Sequence, residues 1–301
     1  MYVDVTKYVK SGGAANATNP SNLHHVSGMY GRLAASPGGV LFWRSDHFDP
    51  APPGWRVNQV SVTSNAADSD PHGDYDPRHQ RLFCVYSNAG SAFSKFSDDD
   101  GETWTVGGTV AGGAFPRLAY DPLTGNALVA GYVGGVITGK FQGQGELTSS
   151  AAFNFVDTHA IDIPVENDSF DIQGFGDTWY GIWRVLGSGT CSFWRSDDGA
   201  LSWKKQFDCF SGCARPRLTI RHGHLIVAAL SGTTIKTAFK GSGDLLLGTE
   251  VSAMTGVTAD TFDISYTIDG AKVIGVWTVT GETAPSEWRS GDDAASFKRV
   301  N

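Results

Sequence analysis

One octapeptide returns along this chain at multiples of about fifty residues, and that recurrence limits the possible folds more than any other feature. Its clearest copy is Ser97-Asp98-Asp99-Asp100-Gly101-Glu102-Thr103-Trp104. A second is Ser196-Asp197-Asp198-Gly199-Ala200-Leu201-Ser202-Trp203, and a third is Ser290-Gly291-Asp292-Asp293-Ala294-Ala295-Ser296-Phe297. The closing aromatics Trp104, Trp203 and Phe297 stand about two repeats apart, so unmarked copies are expected near Trp55, Phe153 and Glu250. Trp55 follows Phe42-Trp43-Arg44-Ser45-Asp46, a string that recurs as Phe193-Trp194-Arg195-Ser196-Asp197 and again in Trp288-Arg289-Ser290. Phe153 follows Phe141-Gln142-Gly143, and Phe239-Lys240-Gly241-Ser242-Gly243 repeats the strand-then-turn shape without the octapeptide. Six units result.

Each unit also repeats upstream of this turn. Tyr120-Asp121-Pro122-Leu123-Thr124-Gly125 leads into an apolar run from Ala127 to Tyr132, and Tyr75-Asp76-Pro77 precedes Leu82 to Tyr86. The shape recurs before Thr178 to Trp183, Leu225 to Leu230 and Val273 to Trp277. Short β-rich runs bounded by Gly, Asp and Pro predict a meander of strands. No helical period extends beyond two turns.

The octapeptide resembles the Asp-box, or BNR repeat, of sialidases and other β-propellers. The resemblance implies an all-β, six-bladed β-propeller of about fifty residues per blade, with each box forming the turn between the third and fourth strands. Ser97, Asp99, Gly101 and Trp104 would play the structural parts, matched by Ser196, Asp198 and Trp203 and by Ser290, Asp292 and Phe297. Ala200 and Ala294 replace the usual Gly, which predicts looser turns there.

A chain of 301 residues with 38 Gly fits one large domain over 20–301, preceded by an N-terminal segment over 1–19 that could close the ring with a strand. The net charge of −8 and the lack of a Lys/Arg cluster argue against nucleic acid. No apolar run reaches membrane-span length, and Met1 to Gly12 lacks a signal-peptide core. Among Cys84, Cys191, Cys209 and Cys213, the last two could close a short disulfide loop, with Cys191 nearby; buried small hydrophobes are the alternative. Asn16-Ala17-Thr18 matches a glycosylation acceptor.

The innermost strand of each unit is expected in the segment before each turn. These segments carry Arg117, Asp171, Arg217 and Asp263 in alternating sign, with His72 in the second unit, His24-His25 in the first and Tyr266 beside Asp263. Asp171 and Asp263 are the candidate catalytic acids, since paired carboxyls support glycoside hydrolysis. Arg117, Arg217, His72 and Tyr266 are the candidate ligand-binding residues, with Arg suited to clamping a carboxylate. Structural ion pairs at a crowded axis are the competing reading. Asp68, Asp70, Asp74 and Asp76 form an acidic run that could hold Ca²⁺, against which stand solvated turn carboxylates. Trp43, Trp55, Trp183 and Trp277 either stack on sugars or pack between blades. No cofactor is implied. The Phe-Arg-Ile-Pro string of sialidases is absent; Phe115-Pro116-Arg117-Leu118 has similar letters in another order.

These features favour a non-enzymatic propeller acting as a structural or receptor/glycan-recognition module. The compact Gly-rich chain is similar to the propeller proteins of bacteriophage tails and virions, which implies a virion or extracellular location. The expected partners are other structural proteins of an assembly or a cell-surface glycan, with homo-oligomers possible. A propeller-type glycoside hydrolase and a multi-site lectin are the alternatives.

Overall fold

The computed structural model describes residues 22–26, 29–36, 38–45, 58–76, 81–99, 101–121, 123–142, 157–221, 224–240, 248–258, 262–266, 273–277, 279–281, 286–292 and 294–299. The N-terminal segment, Asn16, Trp55, Phe153 and the three turns expected without an octapeptide lie outside these residues. All regular structure among the described residues is β.

The strands follow chain order within every sheet. The first sheet comprises β1 (Asn22–Val26), β2 (Met29–Ser36), β3 (Gly39–Ser45) and β4 (Asn58–Ser61). The second comprises β5 (Ser69–Asp76), β6 (Arg81–Asn88), β7 (Ser91–Ser97) and β8 (Thr105–Gly112). A seven-stranded sheet follows: β9 (Ala114–Tyr120), β10 (Ala127–Val133), β11 (Val136–Gln142), β12 (Asp157–Phe175), β13 (Thr178–Val185), β14 (Thr190–Ser196) and β15 (Lys204–Ser211). Next come β16 (Cys213–Arg221), β17 (His224–Ser231), β18 (Thr234–Lys240) and β19 (Val251–Met254). The last sheet comprises β20 (Asp263–Tyr266), β21 (Val273–Trp277), β22 (Ser286–Ser290) and β23 (Lys298–Arg299).

The long β12 serves two neighbours. Its first part, to Pro164, pairs with β11, and its second part, from Val165, pairs with β13. The register breaks between Val165 and Phe170, where a bulge redirects the strand.

Among the described residues, burial is deepest in the inner strands and falls off at the last ones. The second strands read as continuous apolar runs, Leu82–Tyr86 in β6 and Leu225–Leu230 in β17, and are buried throughout because neighbouring sheets cover both faces. The fourth strands β15, β19 and β23 are largely exposed. The core is accordingly a series of interleaved clusters between consecutive sheets. Phe83, Val85 and Phe96 meet Leu118, Tyr120 and Val129, and Ile226, Leu230 and Ile235 meet Phe262, Ile264 and Val273. The first strands lie against one another in a closed circuit: β1 on β5, β5 on β9, β9 on β12, β12 on β16, β16 on β20, and β20 on β1.

The three octapeptides form near-identical turns at the start of the exposed fourth strands. Ser97 Oγ donates to Asp99 Oδ1 at 2.7 Å and accepts the Gly101 N–H at 2.7 Å. Asp99 in turn accepts the Thr103 N–H at 2.9 Å and the Thr103 hydroxyl. Ser196, Asp198 and Ser202 repeat these bonds, as do Ser290, Asp292 and Ser296. The expected loosening at the Ala-bearing copies does not occur. The Ala200 and Ala294 N–H groups reach their serines at 3.0 Å, and both residues take the positive φ that Gly101 takes, +67° and +65° against +85°. The methyls of Ala200 and Ala294 are buried in the clusters behind the turns.

The disulfide also differs from expectation. Cys213 pairs with Cys191, whose Cα lies 6.2 Å away, and not with Cys209. Cys213 opens β16 directly beside β14, whereas the Cys209 sulfur turns to the Cys191 carbonyl at 3.2 Å. Sequence proximity favoured the 209–213 loop; the packing of β16 against β14 decided otherwise. Cys84 is a buried free thiol, as a small hydrophobe would be.

Candidate functional site

The circuit of first strands brings the predicted axial residues together. His72 on β5, Arg117 on β9, Asp171 on β12, Arg217 on β16 and Asp263 on β20 are all at most 8% exposed. Their side chains bond mainly across to the next first strand. His72 Nδ1 accepts the Leu118 N–H at 3.2 Å, and Asp171 Oδ2 accepts the Leu218 N–H at 3.0 Å. Arg117 Nε donates to the Phe170 carbonyl at 3.3 Å, with its guanidinium 5.5 Å over the Phe170 ring. Arg217 Nε stands 3.5 Å from Asp263 Oδ1. His72 Nε2 comes within 3.9 Å of Asp171 Oδ1, although β9 lies between their strands, so side chains meet across the axis at this level.

Burial pushes the Asp171 carboxyl above the usual carboxylate range, while Arg217 and then Arg117 pull it down, helped by the Leu218 and Ile172 N–H groups. The alternating signs thus stabilise one another where water is largely excluded. Tyr266 lies on β20, but its side chain is outside the described part; the same holds for His24 and His25 on β1, for Trp43 on β3 and for Trp277 on β21. Trp183 is fully buried, its ring 5.2 Å from that of Trp194 and 5.4 Å from that of Trp203, so it packs in the core and offers no sugar platform.

The acidic run does not converge on a cation position. Asp68 accepts from the Asn88 amide, Asp70 from the Ser69 hydroxyl at 2.7 Å, and Asp74 from the Tyr75 and Tyr120 N–H groups, each at 2.8 Å. Asp76 accepts from the Tyr120 hydroxyl at 2.7 Å. Among the described residues no three His, Cys, Asp or Glu side chains group as metal ligands. Burial drives the Asp74 carboxyl up to about 7, against the pull of its two backbone donors.

A feature that the sequence carried openly, and that sequence reasoning passed over, sits two residues before the axial positions. Asp70-Pro71-His72, Phe115-Pro116-Arg117 and Arg215-Pro216-Arg217 are one recurring tripeptide. In each, the residue before Pro takes a left-handed backbone, with φ of +50°, +52° and +50°. Each coincides with a break in register against the second strand of its sheet. Pro lacks an N–H and fits such a bulge, whereas the residue before it is forced from its preferred extended conformation.

No family model matches the chain, and no curated protein matches it. Solved structures do. A Hadza microbial sialidase, Hz136, superimposes with a TM-score of 0.60 at 10% identity, over 93% of this chain and 65% of that one. The NanB sialidase from Streptococcus pneumoniae (K499G mutant) gives 0.62 at 9% identity, over 92% and 68%. TolB from Acinetobacter baumannii gives 0.56 at 14%, over 90% and 66%. At these identities the likeness is one of fold: the chain is all-β and matches β-propeller structures, sialidases among them.

Proposed function

We propose that this chain is a six-bladed β-propeller with Asp-box turns, and that it works without catalysis as a structural or recognition module. The observation that carries this reading is the engagement of the axial residues with one another. Asp171 and Asp263 are buried and committed to neighbouring strands and guanidiniums, an arrangement that holds first strands together. A hydrolytic pair would instead flank an open slot wide enough for a sugar and, in the inverting case, a water. The Cys191–Cys213 disulfide favours an oxidising setting such as the extracellular space or a virion surface. The partners are then other proteins of an assembly or a surface glycan.

The sialidase-like fold sustains a second reading, a glycoside hydrolase with Asp171 and Asp263 as its acids. Incubation with a broad glycan mixture and mass spectrometry of released sugars separates the two. The proposal expects no released sugar; any turnover abolished by Asp171→Asn would replace it with the hydrolase.

A further inference from the structure

We infer that Cys191, Cys209 and Cys213 form a thiol–disulfide switch, in which Cys209 displaces Cys213 from Cys191 and moves the cross-link from between two sheets to within one. The switch lies outside the axial layer and gives the molecule a means of loosening one of its joints.

All three cysteines belong to one cluster. Cys191 and Cys213 are buried in it with Phe193, Phe210 and Leu218, and Cys209 packs against it as a half-buried free thiol. Cys191 lies opposite Phe210 and Ser192 lies opposite Asp208, so Cys209 is the extra residue of a bulge in β15. A bulge sets two residues of one strand against one of its partner, and here Cys209 and Phe210 both stand against Cys191. The Cys209 thiol accordingly donates to the Cys191 carbonyl at 3.2 Å. A free thiol is thus held against the residue that carries the bond to Cys213.

The exchange needs no outside oxidant or reductant. Cys209 gives its proton to water and its thiolate attacks the Cys191 sulfur. The bond to Cys213 then breaks with its electron pair on the Cys213 sulfur, which takes up a proton. One disulfide and one thiol stand on each side of the step. The first bond joins residues 22 apart and the second would join residues 18 apart, so chain entropy hardly separates them. Their placement does. The Cys191–Cys213 bond ties β14 to β16 in another sheet, whereas a Cys191–Cys209 bond would tie β14 to its own neighbour β15. The β16 strand carries Arg217 to the axial layer. After exchange its start is held by non-covalent bonds such as that from the Cys213 N–H to the Gly189 carbonyl at 3.2 Å. Burial latches the resting state by keeping the Cys209 thiol protonated. The β15 strand is the largely exposed edge of its sheet, and such strands open locally at less cost than the core. An opening that solvates Cys209 releases the latch.

The test holds the oxidised full-length protein, without added thiol, at about pH 9 in denaturant below the unfolding midpoint. Samples are quenched in acid, alkylated and mapped without reduction. The expected result is a Cys191–Cys209 bond that appears as Cys213 becomes alkylated, with the buried Cys84 labelled at least about tenfold more slowly. Cys209→Ser should abolish the labelling of Cys213 under the same conditions. Cys213 labelling that keeps pace with Cys84 would mean global unfolding and scrambling, and would overturn the inference. So would a mapped Cys209–Cys213 bond, labelling that survives Cys209→Ser, or no exchange at all. Cys213→Ser tests the reach of Cys209 directly: its folded, air-oxidised form should contain the Cys191–Cys209 bond, and two free thiols there would also overturn the switch.

Discussion

One hydroxyl and one carboxylate organise each octapeptide turn, and the turn's tolerance for alanine follows from the sizes of the competing terms. A left-handed alanine costs about 1–2 kcal/mol relative to glycine. A buried methyl returns about 0.8 kcal/mol, and a less flexible unfolded chain returns about 0.4–1 kcal/mol. Ala200→Gly and Ala294→Gly should therefore change stability by no more than about 0.8 kcal/mol in chemical denaturation, given how nearly those terms cancel. Ser196→Ala removes both the acceptor for the Ala200 N–H and the donor to Asp198, and should cost about 1–2 kcal/mol. The carboxylates also set opposite pH dependences. The Ser202 hydroxyl and N–H hold Asp198 down to about 2, so its contribution is present above the ordinary Asp value and is lost as pH falls towards 2. Asp198 is exposed, and solvent screening keeps that contribution small. Asp74 behaves in reverse. Burial raises it to about 7, so its stabilising effect is complete below the unfolded value and drains away as pH rises through 7. Stability measured by denaturant between pH 4 and 7 should fall with rising pH, with a slope of up to about 1.4 kcal/mol per pH unit from this group. Asp74→Asn should remove that part of the slope; an unaltered slope would mean that Asp74 stays ionised across the range.

At the scale of strands and turns, the disulfide ties two sheets together and the Trp cluster packs the strands of one. Cys191 and Cys213 are 22 residues apart and tie β14 to the start of β16, a closure worth about 3 kcal/mol by chain entropy. Non-reducing peptide mapping should find only this bond, with Cys84 and Cys209 alkylated after denaturation alone. Burial holds the Cys209 thiol up at about 12, which leaves it a poor nucleophile towards its neighbouring disulfide. Gly181 faces Trp183 so closely that an added Cβ would stand 2.1 Å from the indole. Gly181→Ala should cost about 1–3 kcal/mol as that ring is forced off Trp194 and Trp203. The strands themselves were legible in the sequence, because second strands covered on both faces must be continuous apolar runs and the turn residues punctuate them. The cysteine pairing was not legible, since it depends on which strands are spatial neighbours. The axial layer was legible as residues but not as contacts: alternating Arg and Asp predicted convergence at the axis, whereas their bonds to neighbouring strands' backbones depend on register. The pre-proline tripeptide was written in the sequence three times, but its meaning lies in a backbone angle that letters do not carry.

For the whole molecule, one arrangement accounts for both the order of the sheets and the state of the candidate site. First strands that close on themselves crowd their inward side chains, and crowded charges must be paired or neutral. His72, Arg117 and Asp171 meet that demand by bonding to the next first strand, and Arg217 by facing Asp263. The most direct test is Asp171→Asn, followed by thermal and denaturant unfolding in parallel with the assay for released sugars. A structural axial layer predicts a loss on the order of 3 kcal/mol, as Arg117 and Arg217 lose their shared buried partner, and no released sugar from either protein. Wild-type hydrolysis that disappears in an Asp171→Asn protein of undiminished stability would contradict it.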